Sequence, residues 1–388
     1  MSRFLFLTFL ILAPLAAPAM AGAPEFFAPR TGLDTDTTLY LDALSGNSNA
    51  VEKLRTRLKQ TPAPANAYEH WSFLCNFDTH RAQQYANAVV DCKKANSLKV
   101  NDGDATTLAI ARLLAGQPAL RAYGFARLRV TGGDEIAVRT GSYGGTAIAD
   151  TGAQISVMMQ SVAKSADVKM LGPLRGVDTP TGAISGQIGL IPAVTLGKAT
   201  LKNVPVLVLP DTRLTVRDGK EKFMIHFILS LYALAEFGRV GWLDHDKWFA
   251  LGRTAPASLR SAVPMIWCPN GVCVPLQASV VQRAALFDSG ANSSVIYGSG
   301  VALLSDAERT AIVSAERKIG ALGGVANEEV SRVPKVRLTI AGQSLVLKNL
   351  TIATGQEPGV AVRLGVDGLR AYSAVILDFG DMTFSVAP

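Results

Sequence analysis

The stretch Ala149-Asp150-Thr151-Gly152-Ala153-Gln154-Ile155-Ser156-Val157 returns 138 residues later as Phe287-Asp288-Ser289-Gly290-Ala291-Asn292-Ser293-Ser294-Val295. Both copies leave a short apolar segment, residues 146–149 and 284–287, and both end on a Ser-Val pair. An Asp-Thr/Ser-Gly triplet alone is cheap, because chains of this length at average composition often contain one. Its return in the same setting is what decides the reading. Gly in third place lets another backbone approach closely, and a Thr or Ser hydroxyl can hold the turn by hydrogen bonding. The Asp at the strand end then projects into a groove between the copies. Two such loops related by a pseudo-twofold axis set two carboxylates face to face.

Two further elements repeat in the same order. Leu201-Lys202-Asn203 returns as Leu347-Lys348-Asn349. Ile228-Leu229-Ser230-Leu231-Tyr232-Ala233-Leu234 is matched by Arg363-Leu364-Gly365-Val366-Asp367-Gly368-Leu369. Each half closes on a β run, residues 237–242 and 374–384. From residue 126 onward the texture is β, with alternating runs at 126–130, 135–139 and 146–149 separated by Gly pairs. The pattern predicts two homologous lobes, 126–253 and 254–388.

Upstream, residues 36–118 read as helical. Leu39, Leu41, Leu44, Val51, Leu54 and Leu58 recur roughly every three to four positions, and Pro62 and Pro64 end that run. Further helices are predicted at 66–78, 82–97 and 104–115, giving a small α-helical domain over 22–125. Residues 71–114 weakly resemble a tetratricopeptide helical hairpin, although amphipathic helices of any origin share that look. Before them, Arg3, the apolar run 4–12 broken by Thr8, and Ala19-Met20-Ala21 read as a secretory signal peptide over 1–21. Its apolar core is too short to span a membrane, and no later stretch reaches the ~18 apolar residues a span needs.

Composition narrows the function classes. The chain has 388 residues, 48% hydrophobic and 18% charged, with 35 Gly and 19 Pro. That excludes disorder and argues for strands and tight turns over a helical bundle. Aromatics at 7% argue against a base-stacking surface, and the net charge of +7 is spread without a dense basic block, so no nucleic-acid partner is expected. Cys75 and Cys92 lie 17 apart in helical sequence, and Cys268 and Cys273 flank the turn Pro269-Asn270-Gly271-Val272. An even count at two local spacings reads as two disulfides in an oxidising compartment. His70, His80, His226 and His245 show no ligand spacing, so no metal is expected. Gly141-Ser142-Tyr143-Gly144-Gly145 lacks the Lys-Ser/Thr of a phosphate loop. Asp378-Phe379-Gly380 stands in a terminal hairpin without the other kinase elements, and His226 has no nucleophile nearby in sequence.

The doubled Asp-Thr-Gly-Ala and Asp-Ser-Gly-Ala motifs resemble the aspartic peptidases, and the retropepsin-like form more than the pepsin-like one. Leu364-Gly365-Val366-Asp367-Gly368-Leu369 and the trailing Val375-Ile376-Leu377-Asp378-Phe379 are similar to that family's apolar-Gly motif and terminal strand. The resemblance covers about residues 126–388. It implies a mainly β fold of two homologous lobes preceded by the small α-helical domain. It also implies an exported aspartic-type endopeptidase, periplasmic or secreted, that hydrolyses peptides or unfolded proteins without a cofactor. Asp150 and Asp288 would form the catalytic dyad, with Thr151 and Ser289 bracing it and Gly152 and Gly290 allowing the turns. With both lobes in one chain, a monomer is expected. Flaps would lie at 178–186 and 319–324.

Two departures stand out. Ser230 occupies the place of the expected Gly, matching Gly365, and is expected to disturb packing behind Asp150. Ala153 and Ala291 follow the triplets where pepsin-like enzymes usually carry Ser, which predicts a mildly acidic optimum. The rival reading is an inactive peptide-binding or assembly protein on the same scaffold, its helical domain recruiting a protein partner. A further reading makes 22–125 a pro-segment.

Overall fold

The computed structural model describes residues 26–27, 30–60, 65–132, 134–177, 184–218, 221–257, 259, 261–279, 281–321, 324–353 and 359–388. The predicted signal peptide and most of the first predicted flap lie outside the described residues. So do residues 322 and 323 of the second.

Five α-helices come first: α1 (Thr35–Leu44), α2 (Ser48–Leu58), α3 (Ala67–Asn76), α4 (Tyr85–Leu98) and α5 (Asp102–Leu114). Asp34, Asn47 and Asn101 cap α1, α2 and α5 by accepting hydrogen bonds from first-turn N–H groups, the usual way such side chains satisfy a helix start. The leucine stripe read from the sequence is the buried face: Leu41, Leu44, Leu54 and Leu58 pack with Leu74, Ile110 and Leu114. α3 continues into a wide turn, Phe77–Arg81, and Gln83 at φ 56° redirects the chain into α4, so that helix starts later than predicted. Disulfide Cys75–Cys92 ties α3 to α4. Arg55 of α2 is buried between Asp78 and Asp91, at 2.7 and 3.2 Å, and burial pushes the Asp78 carboxyl up to about 7.

Each lobe is a sheet closed on itself. In the first, eight strands run in the order Arg121–Tyr123, Ala199–Leu209, Ser156–Met159, Phe227–Ser230, Tyr143–Asp150, Glu135–Thr140, Ile184–Leu196, Lys169–Val177. Ile184–Leu196 also pairs with Ala199–Leu209 and closes it. The second lobe repeats the plan with Ile266–Cys268, Gly271–Ala278, Val281–Phe287, Val362–Leu364, Val295–Ile296, Gln343–Ile352, Gly324–Ile340 and Val313–Ala321, closed by Gly271–Ala278 against Gly324–Ile340. The repeated Leu-Lys-Asn triplets fall on equivalent strands, and Asn203 and Asn349 share a left-handed backbone at φ 57° and 53°. Cys268 and Cys273 close the hairpin between Ile266–Cys268 and Gly271–Ala278.

A third sheet joins the lobes. Its six strands run Val263–Pro264, Thr383–Ala387, Ala374–Asp378, Arg239–Leu243, Trp248–Leu251, Ala126–Arg129, three from each lobe. At its centre Arg239–Leu243 pairs antiparallel with Ala374–Asp378, and Arg239 Nε donates to Asp378 Oδ2 at 2.8 Å. Trp242 lies in this sheet against Phe249 and Phe287. The Asp378-Phe379-Gly380 triplet is the turn between the two last strands.

The helical domain docks on the lobes through aromatic stacking. His80 stacks on Tyr232 at 5.4 Å, Tyr232 on Trp267 at 5.4 Å and Trp267 on Phe379 at 5.7 Å. Arg81 pairs with Glu236 at 3.2 Å, and Gln83 bridges Glu236 to the Leu120 N–H. Tyr232 and Glu236 belong to the short helix Leu231–Ala235 and its C-cap, which follow Ser230 directly.

Replacing Cys75 and Cys92 together by Ala is expected to destabilise the helical domain by about 3 kcal/mol, the chain-entropy scale for a short disulfide loop. Denaturant unfolding followed by circular dichroism measures it. An unmoved midpoint would mean that packing alone holds α3 against α4.

Candidate active site

The two repeated loops meet at the centre of the molecule. Tyr143–Asp150 delivers Asp150, and Phe227–Ser230 runs parallel beside it with Ser230 opposite Asp150. Val281–Phe287 delivers Asp288, with Val362–Leu364 parallel beside it and Leu364 opposite Phe287. A strand flanked by a parallel partner and ended by a Gly turn gives each Asp one fixed exit direction.

Thr151 and Ser289 lock the loops to each other. The Ser289 N–H donates to Thr151 Oγ1 at 2.9 Å, and that hydroxyl donates to the Phe287 carbonyl at 2.8 Å. Reciprocally, the Thr151 N–H donates to Ser289 Oγ at 3.1 Å, and Ser289 Oγ donates to the Ala149 carbonyl at 2.8 Å. All four bonds are buried. The glycines are fixed by the same approach: a Cβ on Gly152 would overlap the Asp288 carboxyl, and one on Gly290 would overlap that of Asp150. Each carboxyl therefore lies over the glycine of the opposite loop, where no side chain fits.

Both carboxyls are fully buried. The Gly152 N–H donates to Asp150 Oδ1 at 2.8 Å, and the Gly290 and Ala291 N–H groups donate to Asp288 Oδ1 at 3.0 and 3.1 Å. The Oδ2 atoms of both carboxyls are buried too, and neither accepts a hydrogen bond from the turn N–H groups. Burial, and then the charge of Asp288, hold the Asp150 carboxyl well above the ordinary carboxylate range. Such a pair keeps one proton between its members over a wide pH range.

Behind each loop the apolar-Gly element is anchored alike. The Leu231 N–H donates to the Ala153 carbonyl at 2.9 Å and the Val366 N–H to the Ala291 carbonyl at 2.7 Å. Gly365 N–H donates to Ser294 Oγ at 3.0 Å, and Ser230 N–H donates to Ser156 Oγ at 3.2 Å. Here the lobes diverge. Ser294 Oγ donates to Asp367 Oδ1 at 2.7 Å, but the first lobe has Tyr232 in that place, and Ser156 Oγ donates to Ser230 Oγ at 3.3 Å instead. Ser230 Oγ also caps the following helix by accepting from the Ala233 N–H. The disturbance expected from Ser230 does not arise, because its hydroxyl takes over the acceptor role of Asp367. Gly365 has no such room: a Cβ there would come within 2.6 Å of the Ala291 carbonyl oxygen.

Sequence reasoning passed over Arg363. It occupies the position of Ile228 in the first lobe, each facing equivalent residues of the neighbouring strands. Its buried Nε lies 3.7 Å from Asp288 Oδ2, and its guanidinium lies over the Tyr297 ring at 5.8 Å. A cation at the head of a repeat whose other copy opens on Ile228 was the signal available. Among the described residues no group of three or more His, Cys, Asp or Glu is arranged to hold a metal ion. His226 is only half-buried, and its carbonyl accepts from the Met159 N–H.

No curated protein matches the chain. Among solved structures it is similar to a retropepsin-like aspartic protease from Rickettsia conorii, at 13% identity over 34% of this chain and 92% of that one, with a TM-score of 0.22. Residues 136–229, about a quarter of the chain, match the family described as aspartyl protease. The match opens on the strand before Asp150 and ends one residue before Ser230. The matched stretch lies wholly within the first lobe and includes the strand and turn that carry Asp150. The whole is mainly β, two lobes of the same plan preceded by several helices.

Thr151→Val and Ser289→Ala are each expected to destabilise by about 1–3 kcal/mol, since each leaves a buried carbonyl and an N–H without their partner. Because both act in one brace, the double variant should fall short of the sum; strict additivity in denaturant unfolding would mean the two hydroxyls act separately. Gly365→Ser should destabilise by about 1–3 kcal/mol through overpacking. Ser230→Gly removes two long hydroxyl contacts, at 3.3 and 3.4 Å, and creates no clash, so it should lower the thermal midpoint less; the reverse ranking would contradict the assigned roles.

Proposed function

We propose that this chain is an exported aspartic endopeptidase in which Asp150 and Asp288 activate a water against a peptide bond. The observation that carries the reading is the pair of buried carboxyls, one from each lobe, each packed over the glycine of the opposite loop and held there by the reciprocal Thr151 and Ser289 brace. Like charges this close cannot both ionise, so the pair works with one proton. The ionised carboxylate takes a proton from water as the water oxygen bonds to the scissile carbonyl carbon. The protonated carboxyl gives its proton to the carbonyl oxygen. Collapse of the resulting diol breaks the carbon–nitrogen bond. The nitrogen leaves with the proton that water lost, and the diol returns a proton to the pair, which restores the starting state. The products are one carboxylic acid and one amine, and the protein forms no covalent bond to either.

A substrate lying extended across the groove would bind as an added strand, with alternate side chains in pockets. The match of residues 136–229 to the aspartyl proteases supports the reaction class. The leader-like residues 1–21 and disulfides Cys75–Cys92 and Cys268–Cys273 support export to an oxidising compartment. No helix among the described residues is long and apolar enough to cross a membrane. The docking of the helical domain on Tyr232 and Glu236, immediately behind the Asp150 loop, supports a role as a permanent part of the enzyme.

The test is digestion of an unfolded protein by the chain beginning at Gly22, from about pH 3 to about pH 7, beside Asp150→Ala and Asp288→Ala and with a statine inhibitor. Cleavage is expected to vanish in both variants and with the inhibitor. Activity requires a single proton on the pair. It should therefore fall as pH drops through the lower of the pair's two pKa values and fall again as pH rises through the upper. Because the Asp150 carboxyl is held high, the maximum should be mildly acidic, and a peak below about pH 3 would contradict that. A folded chain that cleaves nothing at any pH would overturn the peptidase reading.

A further inference from the structure

We propose that Arg363 is a positioning residue that holds Asp288 as the ionised member of the dyad, so that the shared proton resides on Asp150. The inference rests on the aspartic-peptidase reading, since it assigns the general base and the general acid of that reaction.

The argument is one of broken symmetry. The two loops share one plan: each hydroxyl of the brace makes the same pair of bonds, each flanking strand runs parallel in the same register, and each Asp accepts from the glycine N–H of its own turn, Asp288 from the Ala291 N–H as well. A dyad built from two equal halves would share its proton equally. The charged side chain next to the carboxyls breaks that equality most directly: Arg363 stands where the first lobe carries Ile228. Its Nε lies 3.7 Å from Asp288 Oδ2, and its side chain is only 10% exposed. A guanidinium keeps its charge at every pH at which such an enzyme works. The described residues bring four other titratable groups to this place. Asp150 lies across the pair, and Tyr297 lies under the guanidinium. Asp367 sits behind the loop, bonded to the Ser294 N–H and hydroxyl, and Asp288 itself is the fourth. Arg363 is the cation of that set, and its attraction acts on the nearer carboxylate.

Packing alone does not call for this residue. The first lobe fills the equivalent position with Ile228, which is fully buried, and a buried ion pair generally adds little stability over an apolar replacement. What Arg363 adds is a preference for the anion at Asp288. In the reaction, Asp288 then takes the proton from the attacking water, and the Asp150 hydroxyl donates to the scissile carbonyl oxygen. A fixed cation beside the base also keeps the single-proton state populated at lower pH than an isolated pair would allow.

The experiment compares pH–rate profiles of the wild type, Arg363→Ile and Arg363→Lys, with each variant's fold checked by circular dichroism. Losing the cation disfavours the anion, so both limbs in Arg363→Ile are expected to move to higher pH by about 1–2 units, within the range an Arg shifts a neighbouring Asp. Arg363→Lys should restore most of the wild-type profile, which a merely structural role would not do. A folded Arg363→Ile with unmoved limbs would overturn the proposal. A second measurement needs neither a variant that folds nor turnover: carboxyl-carbon NMR of aspartate-labelled wild-type chain across the titration. Between the two steps of the pair, Asp288 should show the ionised shift and Asp150 the protonated one; equal sharing or the reverse order would overturn the assignment. If the wild type cleaves no peptide at any pH, the peptidase reading fails on its own, and the NMR order still decides where the proton resides.

Discussion

The reciprocal hydrogen bonds between Thr151 and Ser289 are the constraint on which the centre of this protein depends. Each hydroxyl accepts the other residue's N–H and donates to a carbonyl of the opposite strand, so neither loop can be satisfied without its partner. A buried N–H or carbonyl left unpaired costs about 1–3 kcal/mol, so separating the lobes at this point would cost several such penalties together. The brace also has an electrostatic consequence. It draws Asp150 and Asp288 over each other's glycines, where two like charges repel by about 4 kcal/mol at ~4 Å and an effective dielectric near ~20. The chain cannot relieve that repulsion by moving the loops apart. Holding a proton is the remaining route, and the chemistry proposed for the site follows from the geometry that the hydroxyls impose.

Two copies in one chain need not remain equal, and their differences are informative. The Ser that follows each loop must place its hydroxyl hydrogen. Lobe two supplies Asp367 for it, while lobe one, with Tyr232 at that position, supplies Ser230. The exchange frees position 232 for an aromatic ring, and that ring is where His80 and Trp267 stack. One compensation behind the Asp150 loop thus makes room for the contact that seats the helical domain. Gly365 had to stay glycine because its place is filled by the Ala291 and Ser293 backbone.

What was legible in the sequence was what is local. The turn chemistry of Asp-Thr-Gly and Asp-Ser-Gly, the leucine stripe of α1 and α2, and the Cys268–Cys273 hairpin all depend on residues within a few positions of each other. They appear in the structure where the pattern put them. The Leu-Lys-Asn repeat was visible as a repeat, but its left-handed Asn was not, since nothing in the triplet states a φ angle. The six-stranded sheet joining the lobes was out of reach, because Arg239–Leu243 and Ala374–Asp378 are far apart in the chain and their pairing is set by tertiary packing. Ser230 read as a defect because its remedy, Ser156, lies 74 residues away. Arg363 was missed for the same reason. In the alignment of the repeats it is one unlike residue, and only the parallel register beside Val281–Phe287 brings it to a carboxylate.

Arg363 also shows how a buried charge should be weighed. Stability arguments favour an apolar side chain there, and the sister lobe has one. A cation retained against that alternative is better explained by what it does to its neighbour's ionisation than by what it adds to the fold. Duplication is what permits this. In a dimer of identical chains any residue beside one Asp stands beside both, and the pair stays electrically even. Here the two lobes are covalently one molecule and mutate independently. An Ile on one side and an Arg on the other give a fixed direction to a proton that symmetry would leave undirected.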